Sequence, residues 1–300
     1  MTSTTVPIVF IHIGGEPPAH AYTAVWQARR WNPSADIIFL SSAIPGEGYG
    51  LGEKWLTLDR IPKSAEHLHF EKITKLDPAW RNGFWKATTE RLFILEEWMR
   101  LQGVEECFHV ENDNNLYADI SELAPLLRST SKGLSATFQG QGKKKDRLLL
   151  CFSVLYCKSV DALTNFLVFL ACNPSIKDDM QRGGEYWKQM EEECSVLPSA
   201  PVGAKLVSET YRNWFEDARF PCLFDAAAHG QFLGGGDPRN DFCPGPGYVN
   251  EDGDFKADQF LYGWKADALG RRYPVVTGGN GKEWKLANLH VHCKRLHDFM

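Results

Sequence analysis

Two groups of residues in this chain could do chemistry together. The first is Glu111-Asn112-Asp113, which follows the apolar run Cys107–Val110 and precedes Leu116, Tyr117 and Ile120. Phe108 and Val110 alternate with His109 as in a strand, so the acids fall at a strand's carboxyl end, where ligands bind in an open α/β sheet. Glu111 and Asp113 are two apart, and in an extended chain both point to one side. Such a pair is a hard oxygen site that suits Mg²⁺ or Mn²⁺ better than Zn²⁺. Asn112, Asn114 and Asn115 are poor strand formers and good turn formers, so a solvated turn is the competing reading. The second group is His290, His292 and Lys294, near the end of the chain. Leu289 and Val291 alternate with the two histidines, which predicts a strand with both imidazoles and Lys294 on one side.

Several elements must position these groups. Residues 6–13 read as a buried strand ending at Gly14-Gly15, Ala21–Arg30 as a helix stopped by Asn32-Pro33, and 36–40 as a second strand. This is a βαβ unit with an implied parallel pair. Asn82–Gln102 is a long helix with one apolar face, capped by Gly103, that feeds directly into the acidic strand. Leu134–Phe138 and Leu148–Tyr156 are strands and Asp161–Ala171 a helix; an amphipathic helix then follows Asp178-Asp179-Met180 and runs through Cys194. Asp178 or Asp179 is also a good N-cap for that helix. Residues 224–237 set small residues around two acids, and the triple glycine there permits close backbone approach.

Bulk properties exclude several classes. The 300 residues suffice for one large core, and a net charge of −5 argues against a general nucleic-acid binder. The run Lys143–Lys145 is short enough to be a solvated loop. Eight cysteines without a CxxC pattern predict free thiols in a reducing compartment. The amino terminus lacks the basic region and apolar length of a signal peptide, and Ala162–Cys172 is too short to span a bilayer. A soluble, cytoplasmic protein with no transmembrane segment is the expectation. The glycine-rich stretch 43–53 lacks the third glycine of a dinucleotide fingerprint, and the loops near 140 and 278 fail the P-loop pattern. Residues 250–260 fail the spacing of a Ca²⁺-binding EF-hand.

The order Phe108-His109-Val110-Glu111-Asn112-Asp113, Leu116-Tyr117, Asp119-Ile120-Ser121-Glu122-Leu123 resembles the DxD region of the metal-dependent GT-A glycosyltransferases, with Glu111 in place of the first Asp. The terminal His-x-His-x-Lys is similar to that family's closing segment. The resemblance implies an α/β fold in one domain, with a mostly parallel central sheet flanked by helices. Residues 1–123 would form the nucleotide-sugar-binding half and 124–300 the acceptor-binding half, whose tail returns to the metal. It implies Mn²⁺ or Mg²⁺ on Glu111 and Asp113 with His290 or His292, His290 being nearer the family's spacing. Lys294 would meet the diphosphate, with Lys86 and Arg91 as further candidates. His12, Ile13 and Gly14 would meet the base and ribose, and Asn112 would also touch the donor. Asp179 and Glu185 are candidate general bases. The partners implied are a nucleotide-sugar, a UDP-sugar first, and a carbohydrate or glycoconjugate acceptor. Two alternatives stand beside a glycosyltransferase. A sugar-1-phosphate nucleotidyltransferase needs a Gly-x-Gly-Thr-Arg loop where this chain has Gly-Gly-Glu-Pro-Pro. An inactive carbohydrate-binding relative would tolerate Glu111. The tail is expected to matter far more for ligand binding than for folding.

Overall fold

The computed structural model describes residues 5–43, 54–141, 147–174, 178–240 and 242–300. The run Lys143–Lys145 and all but the first residue of the glycine-rich stretch 43–53 lie outside the described residues.

In chain order the first strands and helices are β1 (Ile8–His12), α1 (Ala19–Trp31), β2 (Ile37–Ser41), β3 (Lys54–Thr57), α2 (Ala65–Ile73), α3 (Phe84–Gln102), β4 (Cys107–Val110), β5 (Asn114–Leu116), α4 (Ile120–Thr130), β6 (Leu134–Gly140) and β7 (Leu149–Cys157). They are followed by α5 (Val160–Cys172), α6 (Asp179–Gln189), β8 (Cys194–Leu197), β9 (Cys222–Leu223), α7 (His229–Gly234), β10 (Leu261–Ala266), β11 (Arg272–Thr277), β12 (Glu283–Leu286) and β13 (Asn288–His290). Among the described residues a seven-stranded sheet runs in the order β3-β2-β1-β4-β7-β6-β8. Its pairings are parallel except β4 with β7 and β6 with β7, so the sheet is mostly parallel as expected. The first βαβ unit forms as read, with Ile8 to His12 in register with Ile37 to Ser41.

Strand alternation divides the core in two. Ile8, Phe10, Phe39, Phe108 and Val110 face a layer containing α1, α4, the C-terminal segment and a four-stranded sheet, β10-β11-β12-β9. Val9, Ile11, Leu40 and Cys107 face α2, α3, α5 and α6. Both faces of β1 and β4 are buried, which is why those strands read as near-continuous apolar runs.

Most boundaries shift by one or two residues from the sequence reading, and two of the differences have a clear structural reason. Helix α3 begins at Phe84 rather than Asn82, because Arg81, Asn82 and Gly83 have left-handed backbone angles (φ 48°, 56° and 75°) that no helix accommodates. Helix α6 stops at Gln189, and Cys194 instead opens β8, whose residues pair with Leu134 to Thr137 of β6. All eight cysteines are free thiols. No helix among the described residues is long and apolar enough to cross a membrane.

Candidate active site

Parallel pairing of β1 with β4 brings His12 and Glu111 to the same end of the sheet. The chain does not stay extended through the acids. It turns, with the Asn114 amide donating to the Glu111 carbonyl at 3.1 Å, and re-enters as β5. Convergence of the two carboxylates therefore comes from a turn, not from strand alternation. Asn114 and Asn115 are not turn residues but fully buried members of β5, whose antiparallel partner is β13. Asn114 lies opposite His290, its side-chain oxygen accepts from Asn288 at 2.7 Å, and Asn115 donates to the Leu296 carbonyl at 2.8 Å. These amides satisfy backbone and side-chain groups of the returning tail, and that need overrides their poor strand propensity.

The tail thus reaches the acids. His290 Nε2 stands 3.2 Å from Glu111 Oε2 and 3.2 Å from either oxygen of Asp113. One ligand atom from each of the three residues fits within a 4.8 Å group. Adjacent ligands of a six-coordinate ion with bonds of ~2.1 Å stand about 3 Å apart, so two carboxylates and an imidazole fit a cation of the Mn²⁺ class. Cys151 Sγ lies 3.8 Å from His290 Nδ1, which leaves Nε2 as the nitrogen turned to the acids. Lys294 reaches Asp113 Oδ2, but not by alternating along a strand. Strand β13 ends at His290, and Lys294 turns back through a left-handed backbone (φ 61°). His292 is outside the cluster, its ring 4.1 Å from that of His290, and within 3.4 Å of the Gln231 amide nitrogen.

The electrostatics follow from that packing. Burial opposes ionisation of Asp113, yet His290 and Lys294 hold its carboxyl well below the usual range. Burial likewise opposes a charged His290, and the neighbouring Asp113 and Glu111 raise it well above an ordinary imidazole. His292 is driven the other way, first by burial and then by the positive charge of His290 and Lys294. His290, favoured in its charged form by the acids, and Lys294 thus set positive charge where a cation would supply it.

The other sequence-predicted residues divide. Around β1, His12 Nδ1 is 3.1 Å from the Asn112 amide nitrogen and His12 Nε2 is 2.9 Å from the Gly14 carbonyl, so His12, Gly14 and Asn112 form one group with Ile13 half-buried beside them. Arg91 is buried and bonds two carboxylates, Glu111 and Asp179, the latter at 3.2 Å. Its guanidinium is taken up by acids and is not a free diphosphate clamp. Lys86 pairs with Glu90 at 3.1 Å, in a different cluster beside His67. Asp179 is only 2 % exposed and meets the site through Arg91. Burial, partly offset by Arg91, pushes its pKa up to about 6. Asp178 caps α6 by accepting from the Gln181 amide at 2.8 Å. Glu185 is half-buried on α6, and none of the described contacts joins it to the cluster.

Sequence reasoning missed several residues around the site. Asp225 is fully buried and accepts four backbone amides: Ala228 and His229 on one oxygen (2.8 and 2.9 Å), Gly230 and His290 on the other (2.7 and 2.9 Å). It ties the tail to residues 224–237, a stretch whose small residues gave the only hint. A Cβ on Gly230 would lie 2.1 Å from the His290 carbonyl oxygen, which is the close approach that stretch was read to allow. Asp237 binds Arg81 at 2.7 Å and Arg239 at 2.9 Å, and Arg81 lies over the rings of Trp80 and Phe84. Although burial opposes it, Asp237 is held below the carboxylate range by Arg239, Lys294 and Arg81. His20 on α1 is lowered to about 4, chiefly by burial, with the field of Asp113 opposing.

No protein-family model matches the chain, and no curated protein does. The solved structures that resemble it are glycosyltransferases. Mouse xyloside xylosyltransferase 1 aligns with a TM-score of 0.47 at 10% identity, over 71% of this chain and 94% of that one. The galactosyltransferase LgtC, solved with donor and acceptor sugar analogues, aligns with a TM-score of 0.42 at 13% identity, over 70% and 82% of the two chains. The glycosyltransferase GlyE of Streptococcus pneumoniae TIGR4 aligns with a TM-score of 0.38 at 12% identity, over 65% of this chain and 45% of that one. Overlaps this partial leave the functional reading to the residues of the site.

Proposed function

We propose that the protein transfers a sugar from a nucleotide-diphosphate donor, a UDP-sugar first, to a hydroxyl of a carbohydrate or glycoconjugate acceptor. The observation that carries this reading is the convergence of Glu111, Asp113 and His290, with Asp113 and His290 177 residues apart in sequence, within one 4.8 Å group beside Lys294. A divalent cation held there, Mn²⁺ or Mg²⁺, would supply Lewis-acid stabilisation to a leaving diphosphate. The protein's own residues divide the remaining work. Lys294 turns from Asp113 to the diphosphate oxygens, as an ammonium suited to phosphate. Asn112, His12 and Gly14 form the adjoining wall of the nucleotide subsite. Arg91 fixes the Glu111 carboxylate and links it to Asp179, whose pKa of about 6 suits proton transfer near neutrality. The ring cluster of Trp80, Phe84 and Trp85, with Arg81 and Arg239 over its faces, borders Asp237 and offers stacking surface for an acceptor sugar. Residues 1–123 would thus carry most donor contacts and the stacking rings of the acceptor surface, and 124–300 would add Asp237, Arg239 and the tail.

Calorimetric titration of UDP with and without Mn²⁺ tests the reading. Wild-type protein should bind UDP more tightly with Mn²⁺, and Asp113→Asn should lose that increment while keeping a cooperative unfolding transition. Equal UDP affinity with and without Mn²⁺ in the wild type, or no change in Asp113→Asn, would overturn the cation assignment. Release of free sugar from a UDP-sugar, dependent on Mn²⁺, would separate an enzyme from a binding protein.

A further inference from the structure

A second cluster lies between α2 and α3. His67 and Glu71 are one helical turn apart on α2, and Glu90 faces them from α3. One ligand atom from each lies within a 4.8 Å group. His67 is 1 % exposed, and its ring is locked. Nδ1 is 3.0 and 3.2 Å from the two Glu97 oxygens, and Glu97 in turn accepts from the Ser64 amide at 2.6 Å and the Ser64 hydroxyl at 3.0 Å. Ser64 also caps α2.

A carboxylate that takes the Nδ1 proton leaves the Nε2 lone pair as the free one, the arrangement that orients metal-binding histidines. Here Nε2 is buried with no hydrogen-bond partner, and it faces Glu90 Oε1 at 3.9 Å. That distance is too long for a hydrogen bond. It is close to what one ion imposes, since two ligands held at ~2.0–2.2 Å stand about 3–4 Å apart. One imidazole and two carboxylates suit Zn²⁺ better than Ca²⁺ or Mg²⁺, which prefer oxygen alone. Two lysines now neutralise the carboxylates: Lys63 at 2.6 Å from Glu71 and Lys86 at 3.1 Å from Glu90. Both are part-exposed, with side chains 45% and 32% accessible, so either can leave to solvent when a cation arrives.

We propose that His67, Glu71 and Glu90 form a second divalent-metal site, of the Zn²⁺ class, that clamps α2 to α3 and keeps its fourth position open at the half-exposed Glu71 side. The site does not depend on the sugar-transfer reading. Its residues share no contact with Glu111, Asp113 or His290 among the described interactions.

The test uses the full chain carrying Asp113→Asn, so that the first cluster lacks a ligand. Zn²⁺ affinity is measured at pH 8 by competition with a chromophoric chelator. One Zn²⁺ should bind per chain. Adding Glu71→Gln should weaken it at least ~10-fold, and adding Lys86→Met should tighten it severalfold, because a competing ammonium is gone. Anomalous scattering at the zinc edge should give a peak beside His67 Nε2. Absence of Zn²⁺ binding in Asp113→Asn, or equal affinity in the Glu71→Gln and Lys86→Met variants, would overturn the proposal and leave ion pairs alone. Should Glu71→Gln fail to fold, the Lys86→Met comparison still decides.

Discussion

Asp225→Asn is the most informative single change at the joint between the tail and the rest of the fold. The buried carboxylate accepts Ala228 and His229 amides on Oδ1 and Gly230 and His290 amides on Oδ2. An asparagine keeps the shape but replaces one oxygen with an NH₂ group. Whichever way the amide sits, two backbone N–H donors then face a donor. Hydrogen bonds to a charged group contribute ~1.5–3 kcal/mol each, so losing two costs about 3–6 kcal/mol. That is a large part of the 5–15 kcal/mol that typically holds a domain together, and it corresponds to a Tm lowered by ~6–12 °C. Urea unfolding followed by tryptophan fluorescence reads the loss as a lower midpoint at unchanged slope. One of the four amides belongs to His290, so Mn²⁺ affinity should also fall at temperatures where the variant is folded. Gly230→Ala strikes the same joint sterically, its Cβ being 2.1 Å from the His290 carbonyl and 2.8 Å from Asp225 Oδ2, and should lower both properties too. A midpoint for Asp225→Asn within ~1 kcal/mol of wild type, with Mn²⁺ binding intact, would refute the assignment of Asp225 as the tail's anchor.

Three further outcomes are expected. Burial lowers the pKa of His67, but Glu90 and Glu97 more than offset it and raise it to about 8; with chelator present, the resulting ~1–2 kcal/mol of stability should be complete below pH 6.5 and lost as pH rises through 8, and a urea midpoint flat or rising across that window, or the same fall in His67→Gln, would contradict it. Asp179→Asn should leave UDP affinity nearly unchanged and lower sugar transfer by ~10²-fold or more; full transfer in Asp179→Asn with none in Glu185→Gln would move the base to Glu185. Deleting residues 288–300 should abolish cooperative unfolding rather than merely weaken ligand binding, because Leu289, Val291 and Leu296 are buried at roughly 1.5–3 kcal/mol each; a truncated chain that melts like wild type would show the tail to be dispensable for the fold.

That last expectation reverses the one drawn from sequence, and the reason is general. Strands β1, β2, β4 and β7 were legible because each is a mostly apolar run buried on both faces, β6 because Leu134, Ala136 and Phe138 alternate with polar residues, and α1, α3 and α5 because their turns carry apolar residues at helical spacing. The four-stranded sheet β10-β11-β12-β9 was not read. Its outer strand β10 is half-buried or exposed throughout, so it carries no clear alternation, and the two-residue strand β9 that pairs with β12 comes from a distant stretch. The end of α6 was misplaced because Cys194 and Leu197 continue an apolar pattern that a short edge strand uses as well as a helix does. In the tail, buried Leu289 and Val291 gave the strand away, but nothing local says that its partner is β5 or that Phe299 supplies a carbonyl to the Tyr117 hydroxyl.

At the site, residue type was legible and pairing was not. The acids, His290 and Lys294 stand out as chemistry because they sit at or just beyond the ends of apolar strands. Asp225 is an acid of the same kind, but its four partners are backbone amides, and a sequence does not display those. The two helix cations show where more was available. Lys86 and Arg91 are five residues apart, so they point roughly 140° from each other around α3 and cannot both face one diphosphate. Arg91 lies on the side that meets β4's acid, and Lys86 on the side that meets Glu90. The same geometry accounts for glutamate, rather than aspartate, at 111. Its Oε1 binds Arg91 while its Oε2 faces His290 at 3.2 Å. The extra methylene lets one carboxylate span from the long helix to the returning tail. Glu111 is therefore both a candidate cation ligand and the link between α3, which carries Arg91 and through it Asp179, and the last strand of the chain.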